Sequence, residues 1–527
     1  MSKFTIMVCD HIHQSGLDLL AKAQDVEMLN YSNMPKDELK KELHKADVAI
    51  TRSSTDVDIS FLEKAKKLRA VVRAGVGVDN VDIESSSKQG VVVMNVPTAN
   101  TIAAVELTCA HILSAIRNFP GANTQLKFER KWKREDWYGT ELKGKKLGII
   151  GFGNIGSRVG KRMKAFEMEV LAYDPYINPT KATDAGIAYT KNFDDILACD
   201  IITIHTPKNK ETINMIDKAE IDKMKEGVIL INCARGGLYN EDALYDALES
   251  KKVRWAGIDV FTKEPGTSNK LLDLENIYVT PHIGANTLES QEKIAIEAAE
   301  AALEAARGSS FPNALNLPIK ENELPNFMKV YLELVQKMAF FAIQINKDEI
   351  RSIKLEAEGV IKEHLESLST FALVGLLNAS IGDKVNYVNA PYVAKERGIE
   401  VVLEGKDSQS VFKNQIKLTL LGANCEFSVC GTVYNEDTPK IIAINNFPLE
   451  VEPKGGIILF RNNDKPGVIG HVGTILAKHN INIADFRLSR YEKQALAVIL
   501  VDDEVSQKVL DELSRIEACI SIKYAVI

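Results

Sequence analysis

Leu147-Gly148-Ile149-Ile150-Gly151-Phe152-Gly153-Asn154-Ile155-Gly156 is a short apolar run that breaks into a G-x-G-x-x-G loop. The run reads as a buried strand, and the residues after it place Ile155, Val159 and Met163 on one helical face. Glycines at this junction permit a tight turn and close backbone approach, so the helix N-terminus can hold a pyrophosphate. Gly151, Gly153 and Gly156 are therefore candidate cofactor contacts. Asp174 closes the next apolar run, 18 residues beyond Gly156. An acid there can accept hydrogen bonds from an adenosine ribose and would repel a 2′-phosphate. The pattern predicts an NAD site.

Around this loop the sequence alternates strand and helix patterns. Lys146–Ile150, Glu169–Tyr173, Ile201–His205, Val228–Asn232, Ala256–Val260 and Tyr278–Thr280 read as the strands of a doubly wound sheet. Upstream, Thr5–Val8, Val48–Ile50, Ala70–Val72 and Val91–Met94 predict a smaller parallel sheet with crossover helices. A helix over Thr101–Arg117 bridges the two blocks, and a helix over Ser290–Arg307 is expected to return to the first. These readings predict a discontinuous substrate domain, residues 1–97 and 284–312, around a dinucleotide domain, 98–283. Pro312, Pro318 and Pro325 break the chain after it. Residues 313–453 carry mixed helix and strand patterns and no recognisable chemistry. Pro448, Pro453 and Gly455–Gly456 open a tail, 454–527, whose βαββαβ order predicts a ferredoxin-like sandwich. The expected fold class is α/β, with flavodoxin-like and Rossmann domains, an α+β intervening domain and the ferredoxin-like tail.

A chain of 527 residues has room for three or four such domains. Its 65 basic and 72 acidic side chains give a net charge of −7. That balance supplies no basic field for nucleic acid or an anionic membrane. The start has no long apolar core with a cleavage site, and no run is long enough to span a bilayer. The seven cysteines are scattered, with Cys425 and Cys430 the only close pair. They read as reduced thiols in a cytoplasmic protein, and neither they nor the histidines show metal-ligand spacing.

Three polar residues follow successive strand ends of the second sheet: Arg235, Glu264 and His282. Oxidising a secondary alcohol needs a base for the hydroxyl proton, a cation for a neighbouring carboxylate and a hydride acceptor. Histidine suits the base, a carboxylate on its other nitrogen fixes the tautomer, and arginine offers a planar fork.

With Asn232-Cys233-Ala234-Arg235-Gly236-Gly237, Gly257-Ile258-Asp259-Val260-Phe261 and Pro281-His282-Ile283-Gly284-Ala285 added to the glycine loop, residues 1–317 resemble the D-isomer-specific 2-hydroxyacid dehydrogenases. The resemblance implies Arg235, Glu264 and His282 as the catalytic set. It also implies Val76, Asn154, Ile155, Asp174, Thr206, Cys233, Ala234, Asp259 and Gly284 as cofactor contacts. Arg73-Ala74-Gly75-Val76-Gly77-Val78-Asp79-Asn80 is similar to the branch that oxidises 3-phospho-D-glycerate, the entry reaction of serine synthesis. That likeness implies substrate contacts at Arg52, Ser53, Arg73 and Gly75. It also implies a role for Arg134 at a neighbouring subunit's site. The tail resembles an ACT domain, which implies an amino-acid effector, L-serine, held by Asn462, Asp464 and Asn482 between paired copies. A homodimer or homotetramer follows from the same likeness. Other D-2-hydroxy acids (glycerate, glyoxylate, 2-hydroxyglutarate) and an NAD-sensing, corepressor-like role remain as alternatives.

Overall fold

The computed structural model describes residues 3–317, 324–346, 349–381, 385–408, 411–423 and 426–527; Pro318 and Cys425 lie outside them. The first block consists of β1 (Phe4–Val8), β2 (Val26–Asn30), β3 (Val48–Thr51), β4 (Ala70–Arg73) and β5 (Val92–Asn95). They form a parallel sheet in the order β2-β1-β3-β4-β5. Side chains alternate between two cores, as a strand's period of two requires. Ile6, Val8, Ile50 and Val72 pack with the helix Leu288–Arg307. Met7, Ala49, Val71 and Val93 pack on the other face with Phe61 and Leu62. The helix that follows the second block therefore does cover the first.

The second block contains β6 (Lys146–Ile150), β7 (Glu169–Tyr173), β8 (Ala188–Thr190), β9 (Ile201–Ile204), β10 (Val228–Asn232), β11 (Val253–Ile258) and β12 (Ile277–Val279). Their order is β12-β11-β10-β9-β6-β7-β8, which reverses between β6 and β9. A crevice opens at such a switch point, beyond the carboxyl ends of the strands. The helix Thr101–Arg117 lies across this sheet, with Val105 and Ile112 packed among Ile229 and Ile231.

Two strands go beyond the sequence expectation, β2 and β8. Both are edge strands. β2 buries only Val26 fully and β8 buries nothing fully, so neither presents the continuous apolar run that marks an interior parallel strand.

The third block has β13 (Ile350–Glu358), β14 (Glu400–Lys406), β15 (Gln415–Gly422), β16 (Glu426–Tyr434), β17 (Thr438–Ile444) and β18 (Phe447–Val451). Only the β13–β14 pair is parallel in this sheet. The helices Asn326–Ile345 and Leu365–Ile381 share its core. Asn386 Nδ2 donates to Gly90 O at 2.8 Å and joins this block to the first.

The tail is the expected sandwich, with β19 (Gly456–Asn463), β20 (Ile483–Tyr491), β21 (Gln494–Val501) and β22 (Cys519–Val526) in the order β20-β21-β19-β22. Along β21, Ala497, Ile499 and Val501 face the tail's own helices, while Leu496, Val498 and Leu500 join the core of the third block. One sheet thus belongs to two cores.

No single helix among the described residues is long and apolar enough to cross a membrane. The six described cysteines are free.

Candidate active site

The catalytic candidates stand just past the carboxyl ends of β10, β11 and β12. Asn232, the last residue of β10, shapes the turn that follows it. Its Nδ2 donates to Arg235 O at 2.8 Å and its Oδ1 accepts Ala234 N–H at 3.0 Å. His282 Nδ1 lies 2.7 Å from Glu264 Oε2, and Glu264 Oε1 accepts the Phe261 N–H at 3.0 Å. Burial pushes the Glu264 carboxyl upward. The bonds from His282 and Phe261, with the charges of His282 and Arg235, outweigh it and leave the group below the usual carboxylate range. A carboxylate only accepts, so the imidazole proton sits on Nδ1 and Nε2 keeps a lone pair.

The Arg235 fork is held on two sides. Its Nε donates to Asp79 Oδ2 at 3.1 Å and its Nη1 to Ala234 O at 2.7 Å. The third nitrogen faces the loop after β4, where a Cβ at Gly77 would lie 2.2 Å from Nη2. Arg73 reaches the same loop, and a Cβ at Gly75 would lie 1.8 Å from its Nη1. With no side chain at these two glycines, both guanidinium groups come up against the loop backbone. Burial, then the charges of Arg235 and Arg52, bring Arg73 down to about 10, against the opposing pull of Asp79 and Asp10. Its Nε is buried without a partner. Arg52 is anchored by its backbone N–H to Asp10 Oδ2 and by Nη1 to His11 O. Ser53 follows it, exposed. Three mutually repelling cations with an unused donor are suited to a multiply charged anion.

A cleft of about 410 Å³ separates the two parallel sheets. Val76–Asp79 line it from the first block. From the second block come Asn154, Ile155, Thr206, Cys233, Ala234, Arg235, Asp259, His282 and Gly284. Burial pushes the Cys233 thiol far up, so it lines the wall as an uncharged group.

The dinucleotide requirements are met here. A Cβ at Gly156 would fall 2.1 Å from Gly151 O, so the helix packs on its loop at contact distance, whereas nothing lies within 4 Å of one at Gly153. The helix Asn154–Lys164 has no side-chain cap, so its first N–H groups remain for a phosphate. Thr206 Oγ1 and His205 Nδ1 are buried and unpartnered beside the same cleft. Asp174 is fixed by Phe152 N–H to Oδ2 (2.9 Å) and Tyr176 N–H to Oδ1 (3.0 Å), with lone pairs left for ribose hydroxyls. Substituting Asp174→Asn is expected to weaken NADH binding roughly ten-fold or more, the worth of a hydrogen bond to a charged group. It should also narrow the gap to NADPH, both read by fluorescence titration. Unchanged affinity for both would count against this assignment.

The structure does not bring every candidate together. Arg134 stands exposed on the turn Arg134–Trp137, away from the cleft lining. In the tail, Asn462 is buried with Oδ1 unpartnered, and Asp464 pairs with Arg490 at 3.0 Å. Asn482 Nδ2 donates to Asp502 Oδ2 at 2.6 Å. The register pairs Gly456 with Val501 and Val501 with Ile483. Asn482 and Asp464 therefore sit just beyond opposite ends of the length of β19, which is roughly 23 Å at ~3.3 Å per residue.

Sequence reasoning missed Asp79, Asp10 and Lys208. Asp79 lies inside the quoted Arg73–Asn80 segment, but its partner is 156 residues away. Asp10 anchors the Arg52 backbone from β1's end, and Lys208 lines the cleft after β9.

Fold and site together define an NAD-dependent dehydrogenase of the D-isomer specific 2-hydroxyacid class. Residues 109–284 match the family model for the NAD binding domain of D-isomer specific 2-hydroxyacid dehydrogenases. Residues 327–445 match the D-3-phosphoglycerate dehydrogenase intervening domain, and residues 456–518 match the ACT domain. The D-3-phosphoglycerate dehydrogenase of Archaeoglobus fulgidus is 37% identical over 98% of this chain and 99% of its own. The Bacillus subtilis enzyme of that name is 37% identical over 99% of both chains. Among solved structures, a D-lactate dehydrogenase from Aquifex aeolicus, complexed with NAD and lactic acid, aligns with a TM-score of 0.51 and 29% identity. It covers 58% of this chain and 96% of its own. The chain belongs to the D-3-phosphoglycerate dehydrogenase family.

Proposed function

We propose that this protein oxidises 3-phospho-D-glycerate to 3-phosphooxypyruvate, with NAD as the oxidant. The observation that carries this reading is the crowding of Arg52, Arg73 and Arg235 around one loop, opposite the His282–Glu264 pair. Arg235 and the backbone of the Gly75–Gly77 loop bind the substrate carboxylate. Arg52 and Arg73 take the phosphate, and Ser53 lies beside them. His282 Nε2 accepts the C2 hydroxyl proton as the C2–O bond becomes a carbonyl, and Glu264 stabilises the imidazolium that forms. Bound NAD supplies the acceptor for the hydride that leaves C2, held by Gly151–Gly156, Asp174, Thr206, Ala234 and Asp259.

The phosphorylated acid carries one more anionic group than D-glycerate and answers the extra cations. Its kcat/KM should exceed that of D-glycerate, which lacks this group, and that of D-2-hydroxyglutarate, whose second carboxylate carries a single charge, by roughly ten-fold or more. NADH absorbance over this panel tests it, and equal rates for the three acids would refute it.

The tail is the regulatory part of this reading. L-Serine binds between two copies, Asp464 and Asn462 coming from one and Asn482 from the other. The separation of Asp464 from Asn482 within one chain supports a site that two copies complete. Added L-serine should lower the rate in the same assay. Copies pair as a homodimer or homotetramer, a reading supported by the exposed aromatics Phe119, Phe128, Trp132 and Tyr138 around Arg134. The enzyme works in the cytoplasm.

A further inference from the structure

We propose that Thr280 is a positioning residue for His282, acting through the buried carboxylate of Asp259, with His111 directing its hydroxyl. This rests on the reading of His282 as the base.

The backbone around His282 hangs mainly from Asp259, with a second bond from the His282 N–H to Thr280 O at 3.0 Å. His282 N–H donates to Asp259 O at 2.9 Å. The Ile283 N–H donates to Asp259 Oδ1 at 2.8 Å and the Gly284 N–H to Oδ2 at 2.9 Å. His282 itself has φ 54°, a left-handed conformation that a side chain other than glycine's adopts only when its surroundings impose it. Asp259 is 0% exposed, so the angle of its carboxylate sets where the imidazole stands.

Among the described residues that angle has one side-chain support. Thr280 Oγ donates to Asp259 Oδ1 at 2.5 Å. Having given its hydrogen, Oγ accepts from His111 Nε2, 3.0 Å away. Burial holds His111 below the usual imidazole range, so it has a single N–H to give. His111 belongs to the helix Thr101–Arg117, whose first turn lines the cleft at Thr101 and Ala104. A Cβ at Gly257 would lie 2.9 Å from His111 Nδ1, which accounts for the glycine two residues before Asp259. Helix, threonine, aspartate and catalytic loop thus form one continuous hydrogen-bonded path.

Thr280→Val keeps the shape and removes the hydroxyl; Thr280→Ser keeps the hydroxyl. A misplacement of about 1 Å at a reacting group costs on the order of 10²-fold. On that scale Thr280→Val should lower kcat roughly ten- to hundred-fold, with the KM for 3-phospho-D-glycerate essentially unchanged. Thr280→Ser should recover most of the loss. A Thr280→Val enzyme with wild-type kcat would overturn the proposal, as would a Thr280→Ser enzyme equally impaired. Should Thr280→Val fail to fold, His111→Leu decides in its place: a kcat about ten-fold lower at unchanged KM supports the path, and an unchanged kcat overturns it. Wild-type enzyme with no turnover of any hydroxy acid would remove the proposed function itself, and this proposal with it. Normal Thr280→Val beside an active wild type removes only the latter.

Discussion

His282→Ala is expected to lower kcat by roughly 10²–10⁴-fold, the range spanned by a positioned general base. The residue's Nδ1 is committed to Glu264 at 2.7 Å, so Nε2 alone can take the substrate proton, and no other imidazole replaces it. His205 is the other histidine on the cleft wall. Burial brings it down to about 3, so it takes up a proton far less readily. His111 is spoken for by Thr280. NADH affinity in the variant should remain within about two-fold of wild type, since His282 is not among the residues proposed to hold the cofactor, the Gly151–Gly156 loop, Asp174, Thr206, Ala234 and Asp259. Stopped-flow and equilibrium fluorescence separate the two quantities. A His282→Ala enzyme retaining a tenth of its kcat would mean that the proton leaves by another route, at odds with a rate effect of at least roughly 10²-fold.

The second large effect belongs to Arg73. Burial first, then the charges of Arg235 and Arg52, bring its guanidinium down to about 10, and its Nε has no partner among the described residues. An isolated protein gains little from such an arrangement; an anion bound among the three cations gains a good deal. Arg73→Met should lower kcat/KM for 3-phospho-D-glycerate roughly ten- to hundred-fold, from about 1.5–3 kcal/mol for a hydrogen bond to a charged group. The same variant should handle D-glycerate nearly as wild type does. Relief of the repulsion should also leave the melting temperature unchanged or raised. An equal loss on both acids would place Arg73 in carboxylate binding or in folding, against the phosphate role.

What the sequence made legible follows from where the signals are local. The strand–glycine loop–helix of residues 147–163 and the strand ends bearing Arg235, Glu264 and His282 are set by short apolar runs and neighbouring turns, and the structure has them there. The third block was opaque for a physical reason. Leu368, Ala372, Leu373, Val374, Leu376 and Leu377 are all buried in the helix Leu365–Ile381. The helix therefore shows no polar stripe by which its face could be read. β13 pairs in parallel with β14 and antiparallel with β15, a register that only distant residues decide. The same holds at the site. The contacts of Arg235 with Asp79 and of His111 with Thr280 join residues 156 and 169 positions apart. Both were beyond any local pattern, although each partner sits beside or within a quoted motif. The edge strands β2 and β8 escaped because each buries little.

The account depends on two anionic ends of one small acid lying across the cleft so that its hydroxyl meets His282 Nε2. A crystal structure with NADH and 3-phospho-D-glycerate bound tests that most directly. The predicted result has the carboxylate on Arg235 and the Gly75–Gly77 loop, the phosphate on Arg52 and Arg73, and the C2 hydroxyl within hydrogen-bonding distance of Nε2. A substrate bound with its phosphate away from both arginines, or its hydroxyl turned from His282, would contradict it.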